Sequence, residues 1–174
     1  AAKTAALTFD NVRVPKDNLL GRKDEGFKVA LHSLDGGRVA IAAQALGIAQ
    51  NAFDKARDYA KMRKQFNRPI AAFQAIQFIL AEMATEIKAA RMLTYHAAWL
   101  KDQGKRITEA AAMAKYYASE AAMQLSSKAV QIYGGYGYIR ENGVEQLMRD
   151  AKITEIYEGT TEIQKIVIAA QLLR

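Results

Sequence analysis

Three segments of the sequence combine residue types that can do chemistry. In IYEGTTEIQ, residues 156–164, Glu158 stands directly before Gly159 and two residues before Thr160, a good N-cap. A carboxylate just outside a helix N-terminus serves as a dipole partner, as a plain surface acid or as a general base, and spacing alone does not separate these roles. In MRKQFNRPI, residues 62–70, a helix ends in a cluster of cations and an aromatic ring beside a turn. Cations with an aromatic plate are what a pyrophosphate and an adenine need. In QIYGGYGY, residues 131–138, glycines follow a helix, where they form a C-cap or let the backbone approach a ligand closely.

Other chemistries are absent. His32 and His96 are the only imidazoles, and neither belongs to an HExxH or an ExxH pair, so a zincin or a di-iron bundle is excluded and no metal site is expected. No GxSxG elbow, Walker A loop or GxGxxG is present. With no cysteine there is no disulfide, thiolate metal site or cysteine nucleophile.

The elements that must position these segments are mostly helical. Residues 4–14, TAALTFDNVRV, alternate apolar and polar up to Pro15, which predicts one or two short strands. From Gly26 to about Met62 the apolar residues fall at i, i+3, i+4 spacing, a helix of about 55 Å. Gly36-Gly37 marks a kink in it or a close approach to something. A loop around Pro69 leads to a second helix from about Phe73 to Gln103, with Gly104 as C-cap. Thr108 is read as the N-cap of a third helix to about Tyr133. A short helix over 144–152, a loop over 153–159 and a last helix from about Thr160 to Leu173 complete an all-α, up-down helical bundle with a short N-terminal β segment.

The 174 residues are 51% hydrophobic and 25% charged with two prolines, which excludes a disordered or collagen-like chain. No apolar run approaches the ~20 residues of a membrane span. The net charge of +7 is concentrated: Lys55, Arg57, Lys61, Arg63, Lys64 and Arg68 lie within fourteen residues, opposed there only by Asp58. Such a cluster is a solvated helix face or an anion site, and no recognised motif accompanies it that would indicate nucleic acid.

The three segments, with LTFDNVRVPKDNLLG, EGFKVALHSLDGGRVAIAAQALGIAQ, AAFQAIQ and LMRDAKITEIYEGTTEIQ, resemble the C-terminal half of the acyl-CoA dehydrogenase family in identity, order and spacing. The resemblance implies that residues 1–22 are the end of the family's middle β-domain and 23–174 its C-terminal helical domain. The family's N-terminal helical domain and most of its β-domain are then absent, and the piece alone is expected to be inactive. The implied reaction is FAD-dependent α,β-dehydrogenation of an acyl-CoA thioester: a carboxylate removes the pro-R α-proton while the β-hydrogen leaves as hydride to flavin N5.

Motif by motif, the resemblance places the base at Glu158, whose backbone N–H would also polarise the thioester carbonyl, while Gly159 gives the acyl chain room. A subset of the family carries its base just before the Arg of the first long helix; here that position is Gly37, which favours a short-, medium- or branched-short-chain type. Leu34, Asp35 and Arg38 match the segment lining the CoA and acyl passage. Arg63, Gln65, Phe66, Phe73 and Gln74 match FAD-contacting positions, Gln131, Gly134 and Gly135 the stretch at adenine and pyrophosphate, and Thr160, Thr161 and Gln164 the flavin-contacting start of the last helix. Glu162 departs from the Gln found in many members, which leaves that position without an assigned role.

In the family the RxxF and QxxGG segments reach the FAD of a neighbouring subunit within a homodimer or a dimer of dimers. Electron-transfer flavoprotein is the implied electron acceptor, and the bacterial cytoplasm or the mitochondrial matrix the implied compartment. An oligomerisation module without chemistry of its own, an acyl-CoA oxidase and an acyl-carrier-protein dehydrogenase are the competing readings.

Overall fold

The computed structural model describes residues 5–173. Its spine is α1 (Gly26–Met62), followed by a hairpin of two two-residue strands, β1 (Lys64–Gln65) and β2 (Arg68–Pro69). Next come α2 (Gln74–Asp102), α3 (Thr108–Tyr133), a single turn α4 (Gly135–Tyr138), α5 (Val144–Thr154) and α6 (Thr161–Leu172). The three long helices run up, down and up. Asp35 meets Thr108 and Lys55 meets Tyr133 between the parallel α1 and α3, whereas Glu86 meets Tyr117 and Glu82 meets Lys128 between the antiparallel α2 and α3.

Small side chains let these helices pack closely. Ala42, Ala45, Ala49, Ala52, Ala56 and Ala60 form a buried stripe at helical spacing along α1, in one core with Ala114, Ala118, Ala122 and Ala129 of α3. Alanine costs no side-chain entropy on burial and has the highest helix propensity, so one residue type serves both the element and the seam. Met83, Leu125 and Val144 fill the wider gaps.

Three local expectations need correction. Residues 5–14 form no strand, and Leu7 and Phe9 are 80% and 77% exposed. Alternation alone does not make a strand: the backbone groups need a partner edge, and among the described residues none lies beside this segment. Thr4, the first residue of that expected segment, lies outside the described residues. Thr108 does not cap α3. Ile107 occupies that position, and the Thr108 hydroxyl instead donates to Asp35 Oδ2 at 2.7 Å, tying α3 to α1. The expected loop at Pro69 is a hairpin, turned by Phe66 and Asn67 at φ +49° and +62° in the manner of a type I′ turn.

Gly36-Gly37 proves to be a close approach, because α1 continues unbroken through both. Thr160 is the N-cap expected of it, its hydroxyl accepting from the Ile163 N–H. Gly134 ends α3 at φ +61°. The neighbouring Gly137 is required by space: a Cβ there would lie 2.7 Å from the Val130 carbonyl oxygen and from Tyr133 Cβ. Gly137→Ala is therefore expected to lower stability by about 1–3 kcal/mol, as overpacking does. Denaturant melts of the variant against the wild type measure it.

Candidate active site

The chain turns out of α5 through residues 155–160 before α6 begins. Two successive left-handed residues make that turn, Glu158 at φ +57° and Gly159 at φ +91°. Glycine adopts such a backbone freely, but glutamate does so only when its surroundings hold it there. Two buried donors from different helices supply the hold. Lys115 Nζ of α3 donates to the Gly159 carbonyl at 2.8 Å, and Gln164 Nε2 of α6 donates to the same oxygen at 2.9 Å and to the Glu158 carbonyl at 3.2 Å.

This backbone sends the Glu158 side chain toward α1. Its carboxylate packs against Gly37 so closely that a Cβ added there would fall 2.4 Å from Oε2. Glu158 Oε2 is buried and accepts no hydrogen bond. The other buried side-chain polar atoms without a partner among the described residues are Arg38 Nε, Thr161 Oγ1 and Gln164 Oε1, all on the segments that meet at this turn. The large majority of buried polar groups in folded proteins are paired, so four orphans on the segments meeting at this turn single it out as the candidate site. Arg38 is itself buried, with its guanidinium on Asp35 at 3.0 Å, and Leu34 lies half-buried one residue before that acid. Glu162, in the first turn of α6, is exposed; its own backbone N–H and the Thr160 hydroxyl hold its carboxyl below the usual range, the ordinary behaviour of an acid at a helix N-terminus.

Lys115 is the site residue that sequence reasoning missed. It is fully buried, and burial brings its ammonium down from 10.5 to about 8, against the attraction of Glu155, Glu158 and Glu162 and with the repulsion of Arg38. Its position carried a signal: it lies on the alanine stripe of α3, between Ala111 and Ala118 at helical spacing, where a lysine has no business unless paired. Because its folded value lies below its unfolded one, the unfolded chain holds more protons between pH 8 and 10.5. Stability therefore rises with pH across that window, by up to roughly 3 kcal/mol from this group. Lys115→Met is expected to remove that rise, read by comparing the two proteins' melts at pH 7 and pH 10.

The remaining expected positions gather at the opposite end of the bundle. Arg63, Gln65, Gln131, Gly134 and Gly135 line one cavity of about 590 Å³ with Tyr59 and Tyr136. Arg63 sits 5.6 Å from the Tyr136 ring centre, and Tyr59 stacks on Tyr133 at 3.9 Å. Phe66 projects from the hairpin turn, 87% exposed, with Phe73 edge-on behind it at 6.0 Å and Arg68 over the Phe73 ring at 4.2 Å. Gln74, the first residue of α2, is exposed beside them. Twenty-six residues of α1 separate Gly37 from Arg63, about 40 Å at 1.5 Å per residue. The expected site residues thus form two clusters, and the fold does not bring them together.

Comparison with known proteins matches residues 24–173 to the family model described as acyl-CoA dehydrogenase, C-terminal domain. The mitochondrial short-chain specific acyl-CoA dehydrogenase of Bos taurus is 54% identical over the whole chain, which covers 42% of that protein. The structure of butyryl-CoA dehydrogenase from Megasphaera elsdenii superposes with a TM-score of 0.94 at 53% identity, over 95% of this chain and 43% of that one. A chain from a structural study of the electron transferring flavoprotein of Acidaminococcus fermentans and flavin-based electron bifurcation is 57% identical, with a TM-score of 0.94 over 95% of this chain and 44% of that one. The chain therefore spans less than half the length of the relatives it matches.

Proposed function

The chain belongs to the acyl-CoA dehydrogenase family as its C-terminal helical domain, close to the short-chain members, and from that premise we propose that Glu158 is the α-proton base of an FAD-dependent acyl-CoA dehydrogenase. One observation carries the reading: Glu158 holds a buried, unpartnered carboxylate oxygen against the bare face of Gly37. A surface or dipole-partner glutamate would be solvated or would accept from the helix N-terminus. Glu158 leaves Oε2 free to take the pro-R α-proton of a thioester brought against it, which is the reach a general base requires. The Glu158 N–H polarises the thioester carbonyl as charge moves onto its oxygen. Gly37, without a side chain, leaves room for the Glu158 carboxylate, while the kinship gives the acyl chain its room at Gly159 and its passage along Leu34, Asp35 and Arg38.

The residues fit FAD. The orphaned Thr161 Oγ1 and Gln164 Oε1 offer polar partners for a flavin beside the base, and the cavity at Arg63, Gln131, Gly134 and Gly135 pairs a cation and aromatic rings with a bare backbone suited to an adenine and pyrophosphate. When bound, FAD supplies the acceptor for the β-hydrogen as hydride. A separation of about 40 Å along α1 is more than one dinucleotide spans. That favours an assembly in which each chain gives its Glu158 end to one cofactor and its Arg63–Phe66 end to that of a neighbour, a homodimer or homotetramer.

The remaining parts of the proposal follow from the kinship. Residues 1–22 end the family's β-domain and 23–174 form its C-terminal domain. The substrate is a short-, medium- or branched-short-chain acyl-CoA, and electron-transfer flavoprotein is the acceptor, in the bacterial cytoplasm or the mitochondrial matrix. No helix among the described residues is long and apolar enough to cross a membrane. The test is the full-length protein assayed with an artificial electron acceptor against acyl-CoAs graded in length and branching. Turnover is expected to peak among the short or branched-short thioesters, and failure of every acyl-CoA to bleach the flavin overturns the reading.

A further inference from the structure

We propose that Lys115 is a positioning residue for the base: its buried ammonium, by holding the Gly159 carbonyl, fixes the left-handed turn that aims Glu158 at the substrate. This rests on Glu158 being the α-proton base. Lys115 reaches from the alanine stripe of α3 to the Gly159 carbonyl, which Gln164 also holds, so the Gly159–Thr160 peptide is pinned from α3 and α6 at once, and Gln164 grips the Glu158 carbonyl beside it. The Glu158 backbone is in a region that a β-carbon disfavours, and pinning of this kind keeps it there. The groups facing the ammonium are Glu155 at the end of α5, Glu158 in the turn, Glu162 on α6 and Arg38 on α1. Nothing in the packing alone calls for a charge at this place. An apolar side chain of about the same length would fill the space and be spared the desolvation that pushes this ammonium's pKa down. The retained ammonium is explained by what it grips.

Grip and stability therefore separate. With an ammonium brought by burial to about 8, raising the pH through that value weakens the hold on the turn while it relieves the cost of burying a charge.

The experiment uses the full-length, FAD-loaded enzyme as wild type, Lys115→Met and Glu158→Gln. Two readouts are taken from pH 6 to 10: melting temperature, and exchange into D2O of the α-protons of 3-thiabutyryl-CoA, whose sulfur replaces the β-carbon so that no hydride can leave. Lys115→Met is expected to load FAD and to melt at or above the wild type at pH 7. Its exchange should nonetheless fall on the order of 10-fold or more, as misplacing a reacting group by a fraction of an ångström does, with KM for substrate little changed. In the wild type, exchange should decline as the pH rises through 8 while the melting temperature rises, and that decline should be absent from Lys115→Met. Exchange in Lys115→Met equal to that of the wild type overturns the proposal. So does a level wild-type profile through pH 8, and so does a variant that unfolds or loses FAD, which would make Lys115 structural. Exchange that survives in Glu158→Gln removes the base assignment itself, a separate failure.

Discussion

Glu158→Gln in the full-length enzyme is expected to abolish reduction of the flavin by acyl-CoA while FAD remains bound. The amide keeps the shape of the side chain and its place against Gly37, but it has no basic oxygen for the α-proton. A positioned general base contributes on the order of 10²–10⁴-fold, so bleaching in a stopped-flow mixing experiment should slow by at least that factor. Retention of the cofactor follows from where the donors lie. Lys115 and Gln164 hold the turn through the Glu158 and Gly159 carbonyls, which the substitution does not touch. A variant that bleaches near the wild-type rate would remove Glu158 from the chemistry.

Gly37→Ala is the second large effect, and it acts by displacing the base while leaving its chemistry intact. The added methyl would lie 2.4 Å from Glu158 Oε2 and 2.9 Å from its carboxyl carbon, closer than a β-carbon comes to a non-bonded heavy atom. The carboxylate is the far end of a flexible side chain, so it moves and the helix does not. Folding and FAD content should be near those of the wild type, because alanine is the better helix former. Turnover should fall about 10²-fold, the cost of misplacing a reacting group by about 1 Å. The measurement is kcat with a short-chain acyl-CoA beside a thermal melt. Unchanged turnover would mean that the carboxylate works from somewhere other than this contact.

Gly37 also shows how far a linear reading reaches. The sequence places a glycine where a subset of the family carries its base, and so excludes that position as a source of the carboxylate. Only the packing of the 155–160 turn on α1 explains why a side chain at 37 and an acid at 158 compete for one space. The hairpin was illegible for a different reason. Its strands are two residues each, too short for alternation, and its turn uses Phe66 and Asn67 in place of a glycine. Thr108 misled because a hydroxyl beside a helix start is a cap by local rules, and here a carboxylate on another helix wins it.

Periodicity by itself determined the helices. The bounds expected for α1, α2 and α3 agree with the structure to within a residue, because an apolar stripe 37, 29 or 26 residues long is a strong local signal. The motifs determined the family, and with it the residue types the chemistry needs. The tertiary structure alone decided which of those residues share a site. It parted the Arg63 and Gly134 cluster from Glu158 by most of the length of α1, since residues 26 apart on a straight helix cannot meet. It also brought Lys115 beneath a turn 44 residues away in the chain, through the packing of α3 on α6, a contact that no local pattern encodes.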